Sequence, residues 1–175
     1  DDPIIFTTLH DNENQKILDS AFANSTTTER MGELDFWSGS NTLAFDHVKL
    51  KNFSGGISLF NATSSFNNLS ISDSKNGISV YGGNLSINNL SMQDIFKDAV
   101  GVYDEGYVSM ASSTIKNTKS GDVLGVYDTG ANFSCDRCFF SNDFSKTNNL
   151  SIYHAEASFS NSVFYNLNDS PAVGL

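Results

Sequence analysis

The sequence predicts an all-β chain wound as a right-handed parallel β-helix, a solenoid of about six rungs with three short strands in each. Three observations predict it. A four-residue segment closing on an aromatic recurs six times. Alternating strands follow each copy at constant offsets. Superimposed, the copies place their apolar residues in columns.

The recurring segments are Leu34-Asp35-Phe36-Trp37, Ile57-Ser58-Leu59-Phe60, Ile78-Ser79-Val80-Tyr81, Val100-Gly101-Val102-Tyr103, Leu124-Gly125-Val126-Tyr127 and Leu150-Ser151-Ile152-Tyr153. Their aromatics are 23, 21, 22, 24 and 26 residues apart. After a short turn comes a second strand, such as Leu85-Ser86-Ile87, Val108-Ser109-Met110 or Phe133-Ser134-Cys135. A third follows, such as Val48-Lys49-Leu50, Leu69-Ser70-Ile71 or Leu90-Ser91-Met92. Apolar and small polar residues alternate in these strands, the period of a half-buried strand. Stacked rungs set equivalent residues about 4.8 Å apart. One inward column is then Phe36, Leu59, Val80, Val102, Val126 and Ile152. Another is Phe45, Phe66, Ile87, Met110, Cys135 and Phe159, and a third Leu50, Ile71, Met92, Ile115, Phe140 and Phe164. No single rung could bury a core, but a stack can. A leucine-rich repeat would need its Leu/Asn signature and a helical segment, and a β-propeller a period near ~40 residues.

The ends depart from the repeat. Residues 1–31 are read as an N-terminal strand, Pro3 to Asp11, and a capping or linking segment. In that segment Ile17, Leu18 and Phe22 give weak helical spacing. Residues 32–175 form the β-helix, and Val173-Gly174-Leu175 begins a seventh rung. The chain opens Asp-Asp-Pro without an initiator Met. Both features predict a piece of a longer chain with flanking domains.

Composition excludes several classes. Hydrophobic residues make up 39% and charged residues 17% of the 175, so disorder is not expected. The formal net charge of −10 is dispersed and repels phosphate backbones and anionic lipid, so neither nucleic acid nor membrane insertion is expected. No apolar run approaches the ~18 residues of a membrane span.

The Pro3 to Asp11 strand, the variable loop after it, Gly32 to Phe36 and the Asp46 to Asn52 segment together resemble the β-helix repeat domains of secreted bacterial surface proteins, within the pectin-lyase-like superfamily. The likeness spans most of the chain. It implies a fold shared by polysaccharide lyases, glycoside hydrolases, adhesins and phage tailspikes, and fold alone does not choose among them.

Residues directly after the aromatics are Ser38, Asn61, Gly82, Asp104, Asp128 and His154. Asp104, Asp128 and His154 therefore share one column, with Glu105 and Glu156 nearby. Carboxylates one rung apart could approach the ~5–5.5 Å of a retaining glycosidase. They could equally bind sugar hydroxyls or Ca²⁺, the one cofactor that the residues suggest. The plain alternative is a solvated acidic turn. Asp104, Asp128 and His154 are the only candidates for catalysis. Against catalysis, Arg30 and Arg137 are the sole arginines and neither falls in this column. Tyr103, Tyr127 and Tyr153 beside it could stack on sugar rings, or could form a ladder that stiffens the coil.

Cys135 and Cys138 bracket a two-residue turn and fall on inward columns. A local disulfide and two packed thiols both fit, whereas zinc would need two further ligands that are not apparent. Ser65, Ser86, Ser109, Ser134 and Ser158 form an outward hydroxyl column; ordering water as ice-binding helices do would need a matching second column. Nine Asn-x-Ser/Thr sequons occur, at Asn24, Asn52, Asn61, Asn68, Asn84, Asn89, Asn132, Asn149 and Asn168. They would carry glycans only on a secretory route that attaches them.

The reading is a non-enzymatic extracellular or cell-surface domain, a rigid stalk or a carbohydrate-binding adhesion module. Its expected partner is a polysaccharide or surface glycan. The alternative is a polysaccharide-degrading enzyme or a degenerate relative of one.

Overall fold

The computed structural model describes residues 4–6, 31–38, 43–142, 150–165 and 167. The described residues contain strands and no helix, and every strand pairing is parallel. The strands are β1 (Ile4–Phe6), β2 (Met31–Trp37), β3 (Leu43–Lys51), β4 (Phe53–Ser72), β5 (Ile78–Ile95), β6 (Val100–Tyr103) and β7 (Tyr107–Ala111). There follow β8 (Thr114–Thr118), β9 (Leu124–Tyr127), β10 (Asn132–Asp136), β11 (Phe139–Ser141), β12 (Leu150–Tyr153), β13 (Glu156–Ser160) and β14 (Val163–Tyr165).

They wind as a β-solenoid of about five turns. In one stack β2, the start of β4, the start of β5, β6, β9 and β12 succeed one another. The second holds β3, mid-β4, mid-β5, β7, β10 and β13. The third runs from β1 through β3, β4, β5, β8 and β11 to β14. The N-terminal strand thus belongs to the solenoid, with Ile4 opposite Val48 and Phe6 opposite Leu50. The suspected helix around Ile17 to Phe22 and the seventh rung at Val173 lie outside the described residues.

The three predicted columns stand in register, Phe36 to Ile152, Phe45 to Phe159 and Leu50 to Phe164. Their central members, among them Leu59, Phe66, Ile71, Val80, Val102 and Val126, are completely buried in one continuous core. Coverage thins in the last turn, where Tyr153, Val163, Phe164 and Tyr165 are exposed.

Two coils differ from the expected three short strands. β4 runs through two corners and β5 through three without a break in the strand. The cause is local. Residues at positive φ bend the chain at these corners, one at each except the Gly82-Gly83 pair, so no loop intervenes there. One corner carries Asn61, Gly82, Asp104, Asp128 and His154; the next carries His47, Asn68, Asn89, Ser112, Arg137 and Asn161; the third carries Asn52, Asp73, Asp94 and Asn117. Asn, Asp and His tolerate this left-handed conformation better than other side-chain-bearing residues. At the second corner the side chains also bond between coils. Asn68 Nδ2 donates to Asp46 Oδ1 at 2.9 Å, and Asn89 Nδ2 donates to Asn68 Oδ1 at 2.7 Å.

Candidate functional site

Asp104, Asp128 and His154 occupy successive coils at the same corner, with φ of 56°, 80° and 53°. All three are exposed. The positions directly follow paired strand ends, Tyr81 on Tyr103 and Tyr127 on Tyr153. The structure divides the trio, however. Asp104 and Asp128 line one cleft with Asn61, Gly82, Glu105 and Thr129. His154 lines a second, with Gly130, Ala131, Ile152 and Glu156. Among the described residues no three His, Cys, Asp or Glu side chains are grouped to hold a metal ion.

The backbone accounts for much of the column's chemistry. Five consecutive coils need a left-handed residue here, and Asn, Gly, Asp, Asp and His supply it. Glu105 is under no such demand, yet it faces the same cleft.

The aromatic column forms a ladder. Ring centroids lie 4.2 Å apart for Trp37 on Phe60, 5.0 Å for Phe60 on Tyr81, 4.8 Å for Tyr81 on Tyr103 and 5.4 Å for Tyr103 on Tyr127, all with near-parallel planes. This is the ladder arrangement that stiffens the coil, and it limits the ring faces open at Tyr103 and Tyr127. A pyranose needs a free ring face, and Tyr103 has rings on both faces while Tyr127 has one against Tyr103. Tyr153 leaves the ladder and stacks on His154 at 4.1 Å, remaining 57% exposed. Among the described residues no ring other than His154 stacks on it.

Sequence columns alone missed a second cluster. Tyr103 and Tyr127 fold back over Gly101 and Gly125, where any Cβ would collide with the rings. The Tyr127 hydroxyl thereby reaches and donates to Asp122 Oδ2. Ser151, one coil on, bonds the same carboxylate. The backbone N–H of Asp122 donates to Asp98 Oδ1 at 2.9 Å, in the coil before. Burial pushes the Asp122 carboxyl above its ordinary range, and the Tyr127 and Ser151 hydrogen bonds pull the other way. Burial also pushes the Tyr103 and Tyr127 phenols up, with Asp98 adding at Tyr103 and the Asp122 hydrogen bond adding at Tyr127. The replacement of Ser58 and Ser79 by Gly101 and Gly125 was the signal in the sequence. It marked two coils where a ring lies flat over the strand. The same rings interrupt any second hydroxyl column beside the Ser65 to Ser158 row.

Of the two outcomes open for the cysteines, the structure has the disulfide. Cys135 and Cys138 are joined across the Arg137 corner, with Cα atoms 6.2 Å apart, and both are buried. Cys138 N donates to Ser162 Oγ at 3.0 Å in the following coil. Outside the corner, Arg137 Nη1 pairs with Asp136 Oδ2 at 2.5 Å. Hydrogen bonds from Asn161 and Ser160 hold the Asp136 carboxyl below its usual range.

No family model, no curated protein and no solved structure matches the chain.

Proposed function

We propose that this chain is a β-solenoid domain of an extracellular surface protein, of the pectin-lyase-like kind, and that it serves first as a rigid stalk. The observation that carries the reading is the parallel register of all three stacks over one continuous hydrophobic core. Each coil is clamped to its neighbours by backbone hydrogen bonds, by stacked rings and by side-chain amides at the corners. Such a column resists bending and transmits force along its axis. About five turns at ~4.8 Å each make a rod of roughly 24 Å. A buried disulfide suits an oxidising compartment and supports the extracellular placement.

A carbohydrate contact is the second reading, favoured by the cleft that gathers Asp104, Glu105 and Asp128. Carboxylates there would accept hydrogen bonds from sugar hydroxyls, and the exposed ring of Tyr153 would add stacking further along. A polysaccharide-degrading enzyme, or a degenerate relative, would use the same carboxylates as acid and base.

Pulling single molecules from their two ends tests the stalk. Cooperative rupture of the whole stack is expected; coils peeling off singly at low force would overturn the reading. A glycan array with reducing-sugar and unsaturated-uronide assays tests the second. Binding without turnover, lost in Asp104→Asn and Asp128→Asn at unchanged melting temperature, is the result expected of an adhesion module. Turnover lost in the same variants would make the chain an enzyme.

A further inference from the structure

We propose that Asp122 is a proton-operated clasp between coils, so that the solenoid tightens when this carboxyl takes up a proton in mild acid and loosens when it ionises. The clasp spans three successive coils. Asp98 precedes β6, Asp122 precedes β9, Tyr127 ends β9, and Ser151 lies in β12.

Asp122 is 6% exposed, and no ion pair reaches it among the described residues. The groups that face it are two hydroxyls, Tyr127 from its own coil and Ser151 from the next, and a second carboxyl, Asp98 from the coil before. Tyr103 stacks alongside on Tyr127, and its phenol is a weak acid under the influence of the same two carboxyls. Among the described residues no Lys, Arg or His acts on this carboxyl. A carboxylate held here is desolvated, relieved by two neutral donors and opposed by a like charge. A neutral carboxyl avoids both penalties and keeps the hydroxyl contacts.

The sign follows from that environment. Burial raises the folded-state value of Asp122 above its ordinary 3.8. The folded protein therefore holds this proton more tightly than the unfolded chain. The stabilisation is complete below the ordinary value and is lost as pH rises through the folded one. As pH falls through that folded value, protonation of Asp122 should add stability.

The test compares urea and thermal melts of the full chain, wild type against Asp122→Asn and Tyr127→Phe, at several pH values from acid to mildly alkaline. Every other carboxyl is shared, so its contribution cancels in the wild-type-minus-variant difference. Asn keeps the acceptor for Tyr127 without the charge. Asp122→Asn should match or exceed wild type at alkaline pH, and that advantage should shrink toward acid. Tyr127→Phe removes a donor to the carboxylate, so its melting temperature should fall more steeply with rising pH than that of wild type. A difference between wild type and Asp122→Asn that stays flat across pH overturns the clasp. Should Asp122→Asn not fold, carbon NMR titration of the Asp122 carboxyl in the wild type decides the matter. A midpoint above the ordinary carboxylate value supports the clasp, and one at or below it overturns it.

Discussion

Gly125→Ala asks whether the ladder and the buried carboxyl depend on one missing methyl. Gly125 does not sit at positive φ, so alanine can adopt its backbone conformation. The obstacle is the Tyr127 ring, whose Cε2, Cζ and hydroxyl lie where the new Cβ must go. A backbone held in a paired strand cannot yield easily, so the ring must swing away. It then loses its stack on Tyr103, about 0.5–1.5 kcal/mol. It also loses a hydrogen bond to a charged acceptor, about 1.5–3 kcal/mol, and leaves Asp122 with fewer donors. Replacing glycine returns about 0.4–1 kcal/mol through the unfolded chain. The net is a loss of roughly 1–4 kcal/mol, readable as a urea midpoint shift or as a fall of several degrees in Tm. The same substitution in a Tyr127→Ala background should be neutral or slightly stabilising, because no ring remains to be displaced. Equal losses in both backgrounds would refute the idea that glycine is there to seat the ring.

Four further outcomes follow from the same structure. Val102→Asp places an unpaired charge at a position with no solvent exposure, and should cost several kcal/mol or abolish folding, as seen by circular dichroism melts. Ser64→Ala should raise stability by up to about 1 kcal/mol in urea melts, because Ser64 Oγ is buried without a partner and its loss removes an unmet polar group. Above pH about 10 the unfolded chain releases phenolic protons that Tyr103 and Tyr127 keep when folded. The folded values are raised, so stability present below that pH should be lost above it, and absorbance titration at alkaline pH should show Tyr103 and Tyr127 ionising late. Asp128→Ala should cost about 1 kcal/mol at its left-handed corner while Asp128→Gly should not; equal urea midpoints for the two would remove the backbone argument.

The core was legible because it depends on period alone. Val80, Val102 and Val126 share an offset from their aromatics, and a parallel stack turns equal offsets into contacts. Contacts that leave the strand were not legible in that way. Asp98 and Asp122 lie two residues ahead of β6 and β9, outside the repeated segment, and nothing in their identity announces burial. Only the direction of the Tyr127 ring brings Asp122 into a cluster, and a ring's direction is set by what lies beneath it, here the bare backbone of Gly125. The coil boundaries were blurred for a related reason. Asn61 and Asn68 read as turn residues, but each turns the chain by its own φ, so β4 continues through them without a break.

The corner column shows how the two readings of a repeated residue can be separated. Asp104 and Asp128 follow one another as a pair of carboxylates should in a binding site. The second and third corners, however, carry Asn68, Asn89, Asn161, Asp73, Asp94 and Asn117 at the same kind of φ. Residues of this class recur wherever the chain turns, so their presence at the first corner is weak support for chemistry. Glu105 stands apart from that rule. Glutamate gains nothing from a left-handed corner and Glu105 is not in one, yet it opens into the cleft with Asp104 and Asp128. Corner geometry does not account for a third carboxylate there, whereas the proposed sugar contact would use it as a further acceptor. The proposed carbohydrate contact therefore rests on Glu105 more than on the two aspartates that first drew attention to it.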